Sequence, residues 1–177
     1  PGDSSLLLDR RYSNLGYLLL GLAIEHLAGR TFYDYLFDAV LSPLGITDVR
    51  VAHSISPIAG EVRYHSVNAT QSVFHPDITP SWVVEPYGGL ATEVTAPSGG
   101  LMATAPAVAL TIGHCAVWGL GGRAPGFSRI GNMAGTFTWA SSRPSGLDWT
   151  VLFNGNDGLT DAIRDAFLTS VNNALDA

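Results

Sequence analysis

The first part of the chain places apolar segments between helix-capping residues. Leucines and glycines fill the stretch YSNLGYLLLGLAIEHLAG, residues 12–29. Ser13 or Asn14 can cap a helix there, because their side-chain oxygens accept unpaired backbone N–H groups. Gly29 stands where a C-terminal cap is expected. The pattern predicts a helix over 13–28, and its leucines cover more than one face, so we expect this helix to be largely buried.

Two more helices are predicted further along the chain. Thr31 can cap a helix over 32–41, and Thr104 can cap another over 105–118. Between them, residues 45–100 contain repeated prolines and show no sustained period, which is typical of loops that line a cleft.

The last third of the chain changes from helical to alternating patterns. The segment GFSRIG (126–131) is predicted to be a short strand. The segments TFTWASS (136–142) and LDWTVLFN (147–154) alternate in hydrophobicity on either side of a proline turn, which predicts an antiparallel hairpin. A final helix is expected from about Leu159, with an apolar residue at every fourth position.

This order of elements predicts an α+β fold in one domain over residues 1–177. Residues 1–120 are expected to be mostly helical with cleft-lining loops. Residues 121–177 are expected to form antiparallel strands and a C-terminal helix. An apolar content of 46 % with only 14 % charged residues fits a chain with a buried core.

Charge and cysteine content exclude several classes of function. The net charge is −6, all 9 basic residues are arginines and no basic run is present, so no nucleic-acid partner is expected. The apolar stretch 15–24 is too short to span a bilayer. The histidines and the single Cys115 lack the spacing of metal ligands, and no metal or other cofactor is expected.

Six blocks of the sequence, in order, resemble the serine β-lactamase-like superfamily, which includes class C β-lactamases, penicillin-binding DD-peptidases and related esterases. The blocks span residues 12–36, 40–51, 60–66, 86–89, 96–109 and 129–157. Each block alone is weak evidence, whereas the ordered set covers nearly the whole chain. The resemblance implies a β-lactamase/transpeptidase-like fold, with a helical region beside an antiparallel sheet.

The resemblance also implies roles for particular residues. In this superfamily the serine of a Ser-x-x-Lys motif is acylated by the substrate carbonyl. Tyr12 of the Tyr-x-Asn triplet would be an acid/base partner of that serine, and Asn14 would form hydrogen bonds in the cleft wall. Arg129 and Gly131 align with the ends of the third motif, Lys-Thr-Gly or His-x-Gly, on a strand beside the site. The backbone N–H of Asn132 would then be one oxyanion donor.

The sequence departs from the superfamily pattern at two points. The chain contains no lysine, so no Ser-x-x-Lys motif is present in it. We therefore expect it to be a C-terminal part of the fold that lacks the N-terminal strands and the nucleophile helix, and to be inactive alone. Arg129 replaces the usual Lys or His; it can hold a carboxylate but cannot shuttle a proton.

The expected activity is acyl-serine chemistry on an ester, amide or lactam. The alternative is a non-catalytic remnant that binds a ligand or another protein. Plain structural roles also stay open: Asn14 as a cap, Tyr12 as a packed aromatic and Arg129 as an exposed charge on a strand edge. We expect exposed apolar surface on residues 15–27, with self-association or a complementing N-terminal segment as partner. The sequence does not indicate a cellular compartment.

Overall fold

The computed structural model describes residues 12–117 and 127–177, which combine helices with antiparallel strands as predicted. The described elements, in chain order, are α1 (Asn14–Ala28), α2 (Phe32–Leu36), β1 (Val49–Val51), β2 (Thr70–Gln71), β3 (Trp82–Val83), β4 (Leu101–Ala103), α3 (Ala105–Val117), β5 (Phe127–Met133), β6 (Thr136–Ser142), β7 (Asp148–Phe153) and α4 (Asp161–Leu175).

Local capping defines both ends of α1. The side chain of Ser13 accepts the backbone N–H of Gly16 at 3.1 Å. At the other end Gly29 takes a left-handed conformation with φ of 67°, and its N–H donates to the carbonyl of Glu25. These contacts satisfy backbone groups that the helix leaves unpaired, and they confirm the predicted helix.

The predicted second helix changes its hydrogen-bonding pattern halfway. Thr31 caps α2 by accepting the backbone N–H of Asp34 at 3.1 Å. The chain then continues as a π-helical turn over Phe37–Leu41 and a 3₁₀ turn over Ser42–Leu44. The predicted span 32–41 is therefore helical throughout, and the proline at 43 coincides with its end.

Strands β5, β6 and β7 form an antiparallel sheet in that order, which confirms the predicted strand and hairpin. Phe137 and Trp139 of β6 are buried, with 1 % and 6 % of their surface exposed. Helix α3 packs against β6 and β7, and Gly113 permits a close approach to Asp148. Helix α4 lies against the sheet through the rings of Phe167 and Phe153, whose centroids are 5.8 Å apart.

A second, smaller core joins the end of the α2 segment to α3. Strands β1 and β4 pair antiparallel, and four buried apolar side chains pack beside them. These are Leu41, Ile46, Val49 and Ala107. The sequence analysis did not predict β1 to β4, because strands of two or three residues are too short to show an alternating period.

The expectation that α1 is largely buried is wrong. Only Gly21 of this helix is buried, whereas Leu20 is 62 % exposed and Leu27 is 85 % exposed. The expectation of exposed apolar surface on residues 15–27 is confirmed, while self-association through it stays a prediction. Across residues 12–117 and 127–177, no helix is both long and apolar enough to cross a membrane.

Candidate active site

The N-terminus of α1 presents two of the predicted site residues at a cavity. Because Ser13 caps the helix, the interpretation of Asn14 as the cap is wrong. The Asn14 side chain makes no hydrogen bond to another described residue and lines the cavity instead. Tyr12 is 74 % exposed, and its ring lies 5.7 Å from that of Tyr17. Tyr12 is therefore not a buried packing residue.

The larger cavity has a volume of about 1380 Å³ and opens between α1, β4 and β5. Tyr12 and Asn14 form part of one side, and Gly131 and Asn132 of β5 form part of another. The loop over 58–62 also contributes to the wall. Four of the five predicted site residues thus lie around one space that is large enough to admit a small ligand.

Arg129, the fifth predicted residue, lines a smaller cavity of about 450 Å³. Tyr12 and Ser98 line both cavities. The exposed Arg129 guanidinium donates to the carbonyl of Ser128 at 2.9 Å. Burial raises the pKa of the Cys115 thiol on α3, and the positive charge of Arg129 opposes that rise. Arg129 therefore lies within electrostatic range of α3 as well as beside Tyr12.

The register of β5 with β6 directs the backbone of Asn132 towards the open edge of the sheet. Met133 pairs with Thr136 across a two-residue turn, and Asn132 pairs with Phe137. Residues flanking such a turn form a hydrogen-bonded pair, and hydrogen-bonded and non-hydrogen-bonded pairs alternate. The N–H of Asn132 therefore points away from β6, and β5 has no further strand beside it in the described part of the sheet.

Two side chains from other parts of the chain hold the turn between β5 and β6. The carboxylate of Glu85 accepts the N–H of Ala134 at 2.7 Å, and the Asn156 Oδ1 accepts the N–H of Gly135 at 2.9 Å. Gly135 has a φ of 96°, which favours glycine. Sequence analysis did not identify Glu85 or Asn156; the polar run NGND directly after β7 was the available signal.

A polar network joins two loops at the wall of the larger cavity, one carrying His53 and the other Thr92. The fully buried Ser54 hydroxyl donates to Glu93 at 2.5 Å and accepts the N–H of Thr92 at 2.7 Å. Burial favours the neutral form of Glu93, but the hydrogen bonds from Ser54 and the nearby His53 outweigh it and lower the pKa of the carboxyl.

Tyr64 is a second polar group whose protonation state is fixed at the cavity wall. Burial and the adjacent carboxylate of Glu61 raise the pKa of Tyr64 to about 12. The raised pKa extends to higher pH the range over which the phenol is neutral and can donate a hydrogen bond. Within the described ranges, no three His, Cys, Asp or Glu side chains are grouped to hold a metal ion.

Two solved structures of one amidase resemble this chain in fold. The chain is similar to the D-amino acid amidase from Ochrobactrum anthropi SV3 in its complex with L-phenylalanine amide, with a TM-score of 0.60 and 18 % identity over 84 % of this chain and 51 % of the amidase chain. The complex of the same amidase with D-phenylalanine gives 0.58 and 17 %, over 84 % and 52 %. The chain thus spans about half the length of these amidase structures and shares their fold.

The sequence itself gives a family assignment that is independent of these structures. Residues 8–160 match the family described as Beta-lactamase, and this range is most of the chain. It contains Tyr12, Asn14 and the whole of β5. The predicted superfamily and the β-lactamase-like fold are therefore confirmed, and this chain belongs to the beta-lactamase family.

Proposed function

We propose that this chain forms one side of the active site of a serine hydrolase that attacks an amide, ester or lactam carbonyl. The observation that carries the proposal is the shared cavity of about 1380 Å³, which Tyr12, Asn14, Gly131 and Asn132 all line. A phenol, an amide and the open edge of a strand around one cavity can supply an acid/base group and hydrogen-bond donors to a reacting carbonyl.

Each residue has a separate proposed role. Tyr12 exchanges a proton with the nucleophile or the leaving group, and Asn14 donates hydrogen bonds to the substrate. The outward N–H of Asn132 stabilises the oxyanion, while Gly131 leaves the strand edge free of a side chain. Arg129, in the adjoining cavity beside Tyr12, holds a substrate carboxylate in two-pronged fashion.

The nucleophile is proposed to come from a segment carrying Ser-x-x-Lys, since this chain contains no lysine. Without that segment the chain is expected to be inactive. With it, the serine would attack the carbonyl carbon, its proton would pass to the base, and the leaving amine or alcohol would take a proton from the Tyr12–Lys pair. Water would then release the acyl group from the serine.

Amino acid amides are the first substrates to test, because the amidase of similar fold was solved with L-phenylalanine amide. The chain alone and the chain joined to a Ser-x-x-Lys segment should be treated with a fluorophosphonate or penicillin probe and examined by mass spectrometry. We expect a covalent serine adduct and release of ammonia from phenylalanine amide only in the joined protein. A folded joined protein that shows neither would contradict the proposal.

Tyr12→Phe in the joined protein tests the acid/base role. Loss of the phenol should lower kcat by about 10²- to 10⁴-fold, the usual contribution of a general acid or base. Tyr17→Phe is the matched control, since the two rings lie 5.7 Å apart and only Tyr12 lines both cavities. Equal losses in the two variants would assign the effect to packing and would overturn the role of Tyr12.

The replacement of Lys or His by Arg129 supports a second candidate, a non-catalytic module that binds an anionic ligand. A guanidinium retains the charge but cannot transfer the proton. This candidate predicts that an N-acylated amino acid binds the chain without any covalent adduct, and that Arg129→Gln weakens the binding by about 10-fold, as for loss of a charged hydrogen bond. Serine labelling in the joined protein would decide against it.

A further inference from the structure

The side chain of Asn156 makes a set of hydrogen bonds that fixes its own orientation. Its Oδ1 accepts the N–H of Gly135 at 2.9 Å, and its Nδ2 donates to the carbonyl of Met133 at 2.9 Å. A backbone N–H requires an acceptor and a carbonyl requires a donor. The two ends of the Asn156 amide therefore cannot be exchanged without breaking both bonds.

This orientation in turn determines how Asn132 is placed. The Asn156 Nδ2 also lies 2.7 Å from the Asn132 Oδ1. Because Asn156 presents a donor there, Asn132 must present its carbonyl oxygen, and its NH₂ group is left on the other side. The Asn132 Nδ2 has no hydrogen-bond partner among the described residues. Asn132 is exposed and lies at the wall of the larger cavity.

We propose that Asn156 is a positioning residue that turns the Asn132 amide so that its NH₂ group donates to a substrate oxygen in the cavity. The inference rests on the proposed function only for the identity of that oxygen, which belongs to the amide or ester substrate. The Asn132 side chain would then add a donor to the backbone N–H of the same residue. A substrate with an acceptor beside the reacting carbonyl would be preferred to one without it.

The position of Asn156 in the fold explains why it can act in this way. Asn156 follows β7 and lies beside the turn that joins β5 to β6. Glu85, from the segment between β3 and β4, binds the same turn through the N–H of Ala134. The Asn156 side chain therefore holds both the turn and Asn132, the residue before the last one of β5. Because Asn132 is already oriented in the folded chain, a ligand does not have to order this side chain when it binds. Binding is stronger as a result, which is the advantage of a preorganised site.

The first experiment measures orientation in the 177-residue chain without any ligand. Asn156→Asp keeps an acceptor for the N–H of Gly135 but replaces the donor that faces Asn132. The Asn132 amide should then rotate and donate its NH₂ group to the new carboxylate. Exchange of the Asn132 side-chain protons with water, followed by NMR, should be fast in the wild type and slowed at least about 10-fold in the variant, as for a newly formed charged hydrogen bond.

Asn154→Asp is the matched control for charge and local structure. The Asn154 Nδ2 donates to the carbonyl of Arg63 at 2.7 Å and makes no hydrogen bond to Asn132. It should lower stability but leave exchange of the Asn132 protons unchanged. Protected Asn132 protons in the wild type, or identical exchange in Asn156→Asp, would overturn the positioning role whether or not the chain is an enzyme.

The second experiment measures binding of phenylalanine amide to the chain joined to a Ser-x-x-Lys segment. Asn132→Ala and Asn156→Asp should each weaken binding by about 5- to 10-fold, as expected for one hydrogen bond. The double variant should be no weaker than either single variant, because Asn156 acts through Asn132. Additive losses would overturn the inference. Absence of binding by the wild type would instead contradict the proposed function, and with it the donor role of Asn132.

Discussion

Helix α1 and the three-stranded sheet are both rich in apolar residues, yet they differ sharply in burial. In the sheet, Phe137 is 1 % exposed and Trp139 is 6 % exposed. In α1, Leu15, Leu20 and Leu22 are all about 60 % exposed, at 63 %, 62 % and 59 %. The sheet is covered by α3 and by α4, whereas the described part of the chain covers only a small area of α1.

The difference shows that the formation of a helix and its burial have separate causes. Capping at Ser13 and Gly29 requires only neighbouring residues and is satisfied in α1. Burial requires a partner surface, and the described part of the chain offers α1 only limited ones, among them Pro97 against Gly21 and the start of α2. Tyr12 and Asn14 therefore line the cavity from a helix with few tertiary contacts. Gly131 and Asn132 line it from β5, which belongs to a packed sheet.

The largest contrast is expected between a core residue of the sheet and a leucine of α1. Phe137→Ala should lower the free energy of unfolding by about 3–5 kcal/mol, because it removes a buried ring and leaves a cavity. Leu20→Ala should change it by less than about 1 kcal/mol, because the side chain is already in water. Urea unfolding of both variants measures the difference. A loss at Leu20 as large as that at Phe137 would mean that α1 is covered in solution.

A smaller contrast is expected within α1 itself. A Cβ at Gly21 would lie 2.2 Å from the Cγ of Pro97, whereas one at Gly16 would meet only Ser13, at 3.7 Å. Gly16→Ala should stabilise the chain by up to about 1 kcal/mol through helix propensity. Gly21→Ala should destabilise it by about 1–2 kcal/mol, since overpacking exceeds that gain.

Hydrogen exchange of the α1 amides should distinguish these two glycine variants further. Gly21→Ala should increase exchange along α1, because the added methyl group pushes the helix away from Pro97. Gly16→Ala should not. Equal effects of the two substitutions on stability and exchange would show that the contact with Pro97 does not hold α1 in place.

The smallest effect concerns the polar network of Ser54, Thr92 and Glu93. The pKa of Glu93 is lower in the folded chain than the ordinary value of 4.5, so its ionisation adds stability above that pH. This stability should be lost as the pH falls through the folded pKa. The difference in unfolding free energy between wild type and Glu93→Gln should therefore shrink from pH 7 to about pH 3. Ser54→Ala, which removes the hydroxyl donor, should flatten the same pH dependence, and a difference that does not change with pH would contradict the role of the network.

Most of the regular structure was predictable because its signals are local. Each of these signals lies within one short segment: the caps of α1 and α2, the alternation of β6 and β7, and the apolar spacing in α4. The pairing of β1 with β4 was not predictable, since it joins segments about fifty residues apart that are only three residues long. The contact of the buried Ser54 with Glu93, 39 residues away, was missed for the same reason.

The candidate site also has features that were predictable from the sequence and features that were not. The triplet of Tyr12 to Asn14 and the segment from Arg129 to Asn132 were recognised from ordered motifs in the sequence. The sequence did not show that these segments share a cavity. It also did not show that the N–H of Asn132 points outward or that Asn156 binds the Asn132 side chain, because both depend on strand register and on contacts between distant segments. No spacing along the sequence indicates which end of a side-chain amide faces a cavity.

The sequence by itself determined the family, the α+β order of elements and the choice of residues proposed for the site, because motifs, caps and periodicity are properties of short segments. It also determined that this chain holds no lysine to activate a serine. Only the tertiary structure decided that Ser13 rather than Asn14 caps α1, that the leucines of α1 are exposed, and that Asn156 orients Asn132. Those outcomes depend on which surfaces meet, and surfaces meet only in the folded chain.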